Sequence, residues 1–412
     1  MLKYRRSLLN SLSIYLKFNH FFMKNIVICA CDYDVGSSGA FHFSHFILEL
    51  NEVSADYRVW LLTDDFVENA KPRNEKTVFY VRKVPFNYSV KLFPLFHFLR
   101  NWAYYKAIRR FQKENNVDAV LFSQAFFGVL SRLLLPRCIK IAGIVHDAYA
   151  LENNRSSHSS YKAFIFNQLT QRPLEWLSNY LLDFTVANSK AIYNLILKKR
   201  RLSPERVSMI YQSIDIHKIE FRLQNWLYTE GSVIKILFVK SGFTRGGLPD
   251  LIAALGLLNY KFELTIVGPN VAFTPQFEAL SKNFTHISLN CVGHENSDEV
   301  SEMMYNHHIL CIPARHEALG LANVEGLAHG ISVVSTHVGG VPEVLDSGNC
   351  GWLAEAENPV SLADALKNCI EADPSVRKEK SIYGRQHVEQ FFSKEMMLQK
   401  CLDLFDKMTV RP

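Results

Sequence analysis

Short apolar runs alternate with longer amphipathic stretches from residue 24 onwards. The runs are apolar throughout, which is typical of strands buried on both faces of a parallel sheet. Between them, stretches such as 41–52 and 100–116 repeat apolar residues every three or four positions, which predicts helices. The predicted strands form a first cycle, 25–31, 57–62, 77–82, 117–122, 139–146, 183–189 and 206–212, and a second cycle, 233–240, 262–268, 286–293, 307–313 and 331–336.

The two cycles predict an α/β protein built from two Rossmann-like, doubly wound domains that face a central cleft. The segment between the cycles has no strong periodicity and is predicted to be a linker. The N-terminus has a basic start and an interrupted apolar run, which is typical of a leader or a surface helix. The predicted limits are 1–22 for this leader or helix, 23–212 for the N-terminal domain, 213–232 for the linker, 233–385 for the C-terminal domain, and 386–412 for a C-terminal helix that packs back.

Composition and charge exclude several classes of protein. The 412 residues are 48% hydrophobic and 21% charged, which excludes a disordered chain and a small disulfide-stapled one. A net charge of +6 is too mild to indicate nucleic acid as a partner. The 8 cysteines contain no C-x-x-C pair and are predicted to be buried thiols in a reducing compartment. No apolar run is long enough for a spanning helix, so a cytoplasmic location is predicted.

Residues 313–343 carry the densest candidate chemistry. A strand ends near Pro313, a loop follows, and a helix is predicted to begin near Leu321. Glu317 lies before this helix start and Glu325 lies inside its early turns. The free N–H groups at Gly320 and Leu321 and the positive end of the helix dipole favour an anion. The pattern indicates a site for a diphosphate whose flanking carboxylates take sugar hydroxyls, although two glutamates at this spacing alone are more often surface residues.

This stretch resembles the retaining GT-B glycosyltransferases of family 4. The resemblance covers residues 24 to about 390 and is most specific in the C-terminal half. Two positions depart from the family pattern, Ala314 for Ser and Ser332 for Pro. The stretches that carry the resemblance are Pro313, Glu317-Ala318-Leu319-Gly320-Leu321, Glu325, Ala328-His329-Gly330-Ile331-Ser332-Val333-Val334, which contains the departure at Ser332, and Gly339-Gly340-Val341-Pro342-Glu343.

The resemblance implies roles for these residues. Glu317 would contact the transferred sugar near the reacting carbon, and Glu325 would bind the donor ribose. The backbone amides of Gly320 and Leu321 would face the diphosphate. His146 ends a predicted strand at its carboxyl edge, where the family often places a histidine near the sugar and the acceptor; the alternative is a structural hydrogen bond.

Two further loops are matched less closely. The family places a basic pair in the Gly-rich loop after the first strand of the second domain. Here Lys240 and Arg245 each lie one residue out of register with that pattern, so they are either the phosphate ligands or solvated loop cations. Gly39, in the Gly-rich loop after the first strand of the first domain, would let the backbone approach the donor phosphate.

Metal dependence is not expected. Asp32 and Asp34 match the D-x-D of metal-dependent glycosyltransferases of another fold, but they follow the first strand of a GT-B-like domain. No His/Cys cluster has the spacing of a zinc site. We therefore expect no metal and no cofactor, with the diphosphate neutralised by cations and helix amides.

Residues 82–113 combine basic and aromatic side chains without any Asp or Glu. The cations are Arg82, Lys83, Lys91, Arg100, Lys106, Arg109, Arg110 and Lys113, and the aromatics include Phe93, Phe96, Phe98 and Trp102. Such interleaving suits an anionic membrane surface. The alternative is an ordinary helix with a solvated basic face.

The sequence thus predicts a retaining glycosyltransferase that moves a sugar, a hexose, from a nucleotide-sugar donor to an acceptor hydroxyl. The expected acceptors are glycans or lipid-linked glycans in cell-surface polysaccharide or glycolipid biosynthesis, reached by peripheral contact with the inner face of the membrane. Two alternatives stay open: a sugar-nucleotide epimerase on the same architecture, and a catalytically silent sugar-binding subunit. A dehydrogenase is not expected, because no predicted strand is followed by G-x-G-x-x-G.

Overall fold

The computed structural model describes residues 23–30, 39–63, 81–83, 96–146, 169, 171–200, 202–223 and 226–410. Strands and helices alternate along the first part of the chain. The strands are β1 (Lys24–Ala30), β2 (Tyr57–Thr63), β3 (Val81–Lys83), β4 (Ala119–Phe122), β5 (Lys140–Val145), β6 (Phe184–Ala187) and β7 (Val207–Met209). The helices are α1 (Gly39–Leu48), α2 (Leu50–Val53), α3 (Phe96–Phe111), α4 (Val129–Leu134), α5 (Arg172–Leu181) and α6 (Lys190–Arg200).

The second part of the chain repeats the alternation. Its strands are β8 (Val233–Val239), β9 (Lys261–Val267), β10 (Ile287–Gly293), β11 (Ile309–Ile312), β12 (Ser332–Thr336) and β13 (Trp352–Ala354). Its helices are α7 (Leu248–Gly256), α8 (Thr274–Ser281), α9 (Ser297–Asn306), α10 (Leu321–His329), α11 (Val341–Val344), α12 (Pro359–Glu371), α13 (Pro374–Phe391) and α14 (Lys394–Thr409).

Both sheets have doubly wound topology. Among the described residues, one sheet has the order β3-β2-β1-β4-β5-β6-β7 and the other β10-β9-β8-β11-β12-β13. β1 pairs in parallel with β2 and β4, and β8 pairs in parallel with β9 and β11. In each sheet, successive strands are therefore added first on one side of the first strand and then on its other side. Doubly wound sheets bind ligands at this switch point, outside the carboxyl ends of the two strands.

The second sheet is covered on both faces, because alternate residues of β8 enter different cores. Ile234, Ile236 and Phe238 belong to a cluster with helices α7 and α12. Leu237 belongs to a second cluster, which includes residues of α10 and the end of α13. Continuous apolar strands are the sequence signature of a sheet covered on both faces.

The chain divides into two compact units. The first unit contains the described residues of 1–145, 173–186 and 398–412, and the second contains those of 146–172 and 187–397. The end of α14 belongs to the first unit, where Tyr57 Oη donates a hydrogen bond to Asp406 Oδ1 at 2.6 Å and Lys24 Nζ donates to Thr409 Oγ1 at 2.9 Å. The domain and linker limits given above stay predictions.

The predicted strands of the second cycle all form, each within two residues of its expected limits. β13, a three-residue strand, was missed because Trp352-Leu353-Ala354 is too short for its periodicity to be recognised. Residues 1–22, Asp32 and Asp34 lie outside the described residues. Within the described part of the chain, no helix combines the length and the apolar character needed to cross a membrane.

Candidate active site

The loop Pro313–Gly320 joins β11 to α10 at the switch point of the second sheet. Gly320 precedes α10 with a left-handed backbone, φ +95°, a conformation that favours glycine. Gly320 O accepts the N–H of Asn323 at 2.9 Å, and α10 begins at Leu321 as the sequence predicts. The first N–H groups of a helix have no partner within it, so this end of α10 is electropositive.

Glu317, in the middle of this loop, forms an ion pair with Lys240. Glu317 Oε2 contacts Lys240 Nζ, and Glu317 Oε1 accepts the N–H of Ala318 at 3.2 Å. Both side chains are partly buried, with 14% of Glu317 and 23% of Lys240 exposed. The structure therefore brings together one predicted catalytic residue and one predicted phosphate ligand.

The Gly-rich loop after β8 packs directly on the Glu317 loop. Gly247 has φ +77°, and a Cβ at this position would lie 1.8 Å from the carbonyl oxygen of Pro313. Arg245 O accepts the N–H of Arg315 at 2.9 Å, and Arg245 Nε donates to His316 O at 3.2 Å. Only glycine permits this close approach, which fixes the two loops to each other.

A bidentate ion pair reinforces the contact between the two loops. Arg315 Nε and Nη2 donate to the two carboxylate oxygens of Asp250, at 2.7 and 2.8 Å. Asp250 lies in the first turn of α7 and is buried. Paired N–H···O contacts of this kind hold the two side chains in one relative orientation and also bring their opposite charges together.

Glu325 is the fifth residue of α10 and is partly buried. Removal of its carboxyl group from water raises its pKa to about 7. A carboxyl that is partly protonated near neutral pH can both donate and accept a hydrogen bond. Such a carboxyl can pair with hydroxyl groups, which also donate and accept.

Gly339 and Gly340 form a backbone support beneath the Glu317 loop. Gly339 has φ +50°, and a Cβ there would lie 1.6 Å from Glu317 O. Gly340 N donates to Ala318 O at 3.1 Å. The two-glycine motif quoted from the sequence therefore positions the backbone of Glu317.

His146 directly follows β5 and lies in the second unit. Its Nδ1 lies 2.8 Å from Gln212 Nε2, and its carbonyl oxygen accepts from Asn188 Nδ2 at 3.1 Å. Amide groups from two other segments therefore hold the histidine.

The second unit thus contains Glu317, Lys240, Arg245, Gly320, Leu321, Glu325 and His146, whereas Gly39, the first residue of α1, belongs to the first unit. Their roles stay predictions. No group of three or more His, Cys, Asp or Glu side chains in the described residues could hold a metal ion. The expectation of metal independence also stays a prediction. Asp32 and Asp34, the residues that would bind a metal in the alternative interpretation, lie outside the described residues.

Two features of the site, an ion pair and a helix cap, are not visible in the sequence. Arg315 and Asp250 lie 65 positions apart, and nothing local in the sequence predicts their ion pair. Glu343 was recognised only as the last residue of a motif, although its carboxylate accepts hydrogen bonds from a distant helix. Its place in the motif is its only signal in the sequence, and that place does not indicate its hydrogen-bond partners.

Comparisons with known proteins agree with this architecture. The family described as Glycosyl transferases group 1 matches residues 229–387, and Glycosyltransferase Family 4 matches residues 44–218. An uncharacterized glycosyltransferase of Methanocaldococcus jannaschii is 26% identical over 72% of this chain and 76% of its own length. The N-acetyl-alpha-D-glucosaminyl L-malate synthase of Bacillus anthracis is 28% identical over 40% of this chain and 44% of its own length.

Solved structures share the fold at low sequence identity. The sucrose-phosphate synthase of Thermosynechococcus elongatus superposes with a TM-score of 0.72 at 14% identity, covering 93% of this chain and 99% of that one. Anabaena HepE, solved with UDP and glucose, gives a TM-score of 0.66 at 14% identity over the same shares of the two chains. With two matching family descriptions, two doubly wound sheets and loops that meet at the switch point of the second sheet, the chain belongs to the group 1, family 4-like glycosyltransferases of GT-B architecture.

Proposed function

We propose that this glycosyltransferase uses a nucleotide-sugar donor bound at the carboxyl ends of β8 and β11. The observation that carries the proposal is the contact of two cations, Lys240 and Arg245, with the Glu317 loop, which leads directly into the electropositive start of α10. A diphosphate leaving group needs donors and positive charge aimed at it as its own charge develops. The structure of HepE with UDP and glucose supports a donor of this class.

The proposed roles follow from the position of each group. Arg245, Lys240 and the first amides of α10 hold the diphosphate, and Arg offers it bidentate contacts. Glu325, further along α10, takes ribose hydroxyls. Glu317 contacts the transferred sugar, where its carboxylate stabilises positive charge at the reacting carbon.

We propose transfer with retention of configuration, in which the acceptor hydroxyl approaches from the face that the diphosphate leaves. In this proposal His146 contacts the transferred sugar and the acceptor, and the absence of a side chain at Gly39 lets the backbone approach the donor phosphate. A hexose is the proposed sugar, and no metal or other cofactor is required.

A thermal-shift screen of nucleotide sugars tests the proposal first, because a ligand that binds only the folded state raises the unfolding temperature by mass action. UDP-glucose and UDP are the first probes. Glu325→Ala should make the free energy of donor binding less favourable, and Glu317→Ala should mainly raise the activation free energy of turnover. Each change should be about 2–4 kcal/mol. Glu278→Ala, an exposed carboxylate on α8, is the matched control.

The outcomes separate the alternatives. Transfer to an acceptor with little turnover in its absence supports the glycosyltransferase. Conversion of the donor without acceptor would indicate an epimerase, and tight binding without any turnover would indicate a silent sugar-binding subunit. Unchanged kinetics in both glutamate variants would overturn the site.

The acceptor is proposed to be a growing cell-surface glycan, lipid-linked at the inner face of the membrane. An exposed stripe of α3 supports this choice. Phe98 is 50% and Trp102 38% exposed, and Lys106 Nζ lies 5.3 Å from the centre of a Trp102 ring. Arg109 and Arg110 are exposed on the next turn. Such a basic-aromatic stripe suits an anionic lipid surface.

One predicted member of this basic segment is excluded. Arg100 is only 5% exposed, and its guanidinium lies 4.8 Å from the ring centre of Phe127. Its inclusion among the surface cations was wrong, because aromatic packing on the buried side of α3 accommodates it. The side chains of Arg82, Lys83, Lys91 and Phe93 lie outside the described residues.

Sedimentation with anionic vesicles tests the membrane proposal. The protein should bind phosphatidylserine vesicles at low salt and leave them at high salt, because each surface cation contributes about 1 kcal/mol that salt screens. Changing Lys106, Arg109 and Arg110 to Glu should abolish binding and leave donor affinity intact. The control changes three exposed lysines of the second unit, Lys261, Lys367 and Lys378, to Glu. Equal loss of vesicle binding in both triple variants, or no vesicle binding by the wild type at low salt, would favour a soluble acceptor.

A further inference from the structure

The carboxylate of Glu343 caps a helix that is distant in sequence. Oε2 accepts the N–H of Lys190 at 2.7 Å, and Oε1 accepts the N–H of Ala191 at 2.6 Å. Tyr211 Oη donates to Oε2 at 2.9 Å. All four residues lie in the second unit. Glu343 therefore satisfies the first amides of α6 and holds the segment around Tyr211 at the same time.

The partners of Glu343 are the chain neighbours of the residues that hold His146. Asn188, two residues before Lys190, donates to the carbonyl oxygen of His146 at 3.1 Å. Gln212, directly after Tyr211, contacts His146 Nδ1 at 2.8 Å. Asn188 and Gln212 are both buried, so neither can easily change its position alone.

The other end of the same motif supports the Glu317 loop. Gly339 contacts the carbonyl of Glu317, and Gly340 N donates to Ala318 O at 3.1 Å. A Cβ on Gly340 would also lie 3.0 Å from Ser189 Cβ, just before α6. Residues 339–343 thus contact the Glu317 loop at one end and the start of α6 at the other.

We propose that Glu343 is a positioning residue that holds His146 in a fixed place relative to Glu317. It acts through α6 and Tyr211, without touching the donor or the acceptor. The inference rests on the proposed function for its kinetic consequences, whereas the structural link between Glu343 and His146 can be tested without any activity.

Glu343→Gln is the informative variant, because it keeps the size of the side chain and replaces one accepting oxygen with a donor that faces backbone N–H groups. We expect kcat to fall at least about tenfold, with the donor KM and the affinity for UDP within about twofold of the wild type. Tyr211→Phe, which removes one of the three hydrogen bonds, should give a smaller loss of kcat. Asp373→Ala is the control, since Asp373 caps α13 by accepting the N–H of Ser375 at 2.8 Å.

A spectroscopic readout separates this inference from the proposed function. In protein labelled with ¹⁵N-histidine, Glu343→Gln should shift the ring-nitrogen signals of His146, assigned with His146→Gln, and leave those of His286 unchanged. Asp373→Ala should shift neither. If no nucleotide sugar is turned over, the proposed function fails while the shift of the His146 signals still supports the link. Unchanged His146 signals, or equal losses of kcat in Glu343→Gln and Asp373→Ala, would overturn the inference.

Discussion

Replacement of Gly339 by alanine should displace the Glu317 loop and lower turnover. Gly339 has φ +50°, a left-handed conformation that costs an alanine about 1–2 kcal/mol. The added Cβ would lie 1.6 Å from the carbonyl oxygen of Glu317 and 2.8 Å from its carbonyl carbon. These are backbone atoms, so no side-chain rotation relieves the overlap and the loop itself has to move. Overpacking of this kind costs about 1–3 kcal/mol more.

Gly231→Ala provides the matched control. Gly231 has φ +83°, and a Cβ there would meet nothing within 4 Å. The control therefore carries the backbone strain without the collision. We expect Gly339→Ala to lower the free energy of unfolding by about 2–5 kcal/mol and Gly231→Ala by about 1–2 kcal/mol.

Denaturant unfolding and donor turnover, measured on both variants, test this reasoning. Gly339→Ala should lose turnover at least about tenfold, because an ångström-scale displacement of a catalytic group has effects of this order or larger. Gly231→Ala should keep wild-type turnover. If both variants lose the same stability and keep the same activity, Gly339 does not support the Glu317 loop, and the role assigned to the two-glycine motif is refuted.

Three further predictions concern the donor site. Turnover should survive EDTA; abolition by the chelator and recovery with manganese or magnesium would favour the metal role of Asp32 and Asp34. Arg245→Ala should raise the donor KM, and an unchanged KM would mean that another cation binds the phosphates. Burial raises the pKa of Glu325 from 4.5 to about 7, so the folded state binds more protons than the unfolded state between these values and loses stability as pH rises. Between pH 4.5 and 7.5 the free energy of unfolding of the wild type should fall by about 1–3 kcal/mol more than that of Glu325→Gln, measured by denaturant unfolding. If the two proteins show the same dependence of stability on pH, the pKa of Glu325 is not raised by burial.

The fold was predictable because its main signals are local. Strands covered on both faces require continuous apolar runs, and those of β8, β9 and β11 are visible in the sequence without any knowledge of their partners. The start of α10 at Leu321 was equally local, since a glycine with left-handed backbone directly precedes it. These features depend on neighbours in sequence, and sequence analysis recovers them.

The partners of the charged side chains were not predictable. Lys240 meets Glu317 across 77 positions, and Glu343 meets the start of α6 across about 150. Such contacts depend on how several strands and helices pack, which no local pattern specifies. Arg100 illustrates the same limit, because its burial against Phe127 depends on the tertiary neighbours of α3 rather than on its charge.

The loop that carries the two proposed phosphate-binding cations is positioned by contacts that its sequence does not reveal. By sequence, Lys240 and Arg245 each fall one residue out of register with the family pattern, which keeps the alternative of a catalytically silent subunit open. The structure positions this loop through backbone contacts instead, since Gly247 packs on Pro313 and Arg245 O accepts the N–H of Arg315. Contacts of this kind do not depend on matching the motif residue by residue, and they leave both cations beside the Glu317 loop. We therefore expect donor binding despite the out-of-register spacing, and measured turnover decides between an active enzyme and a silent subunit.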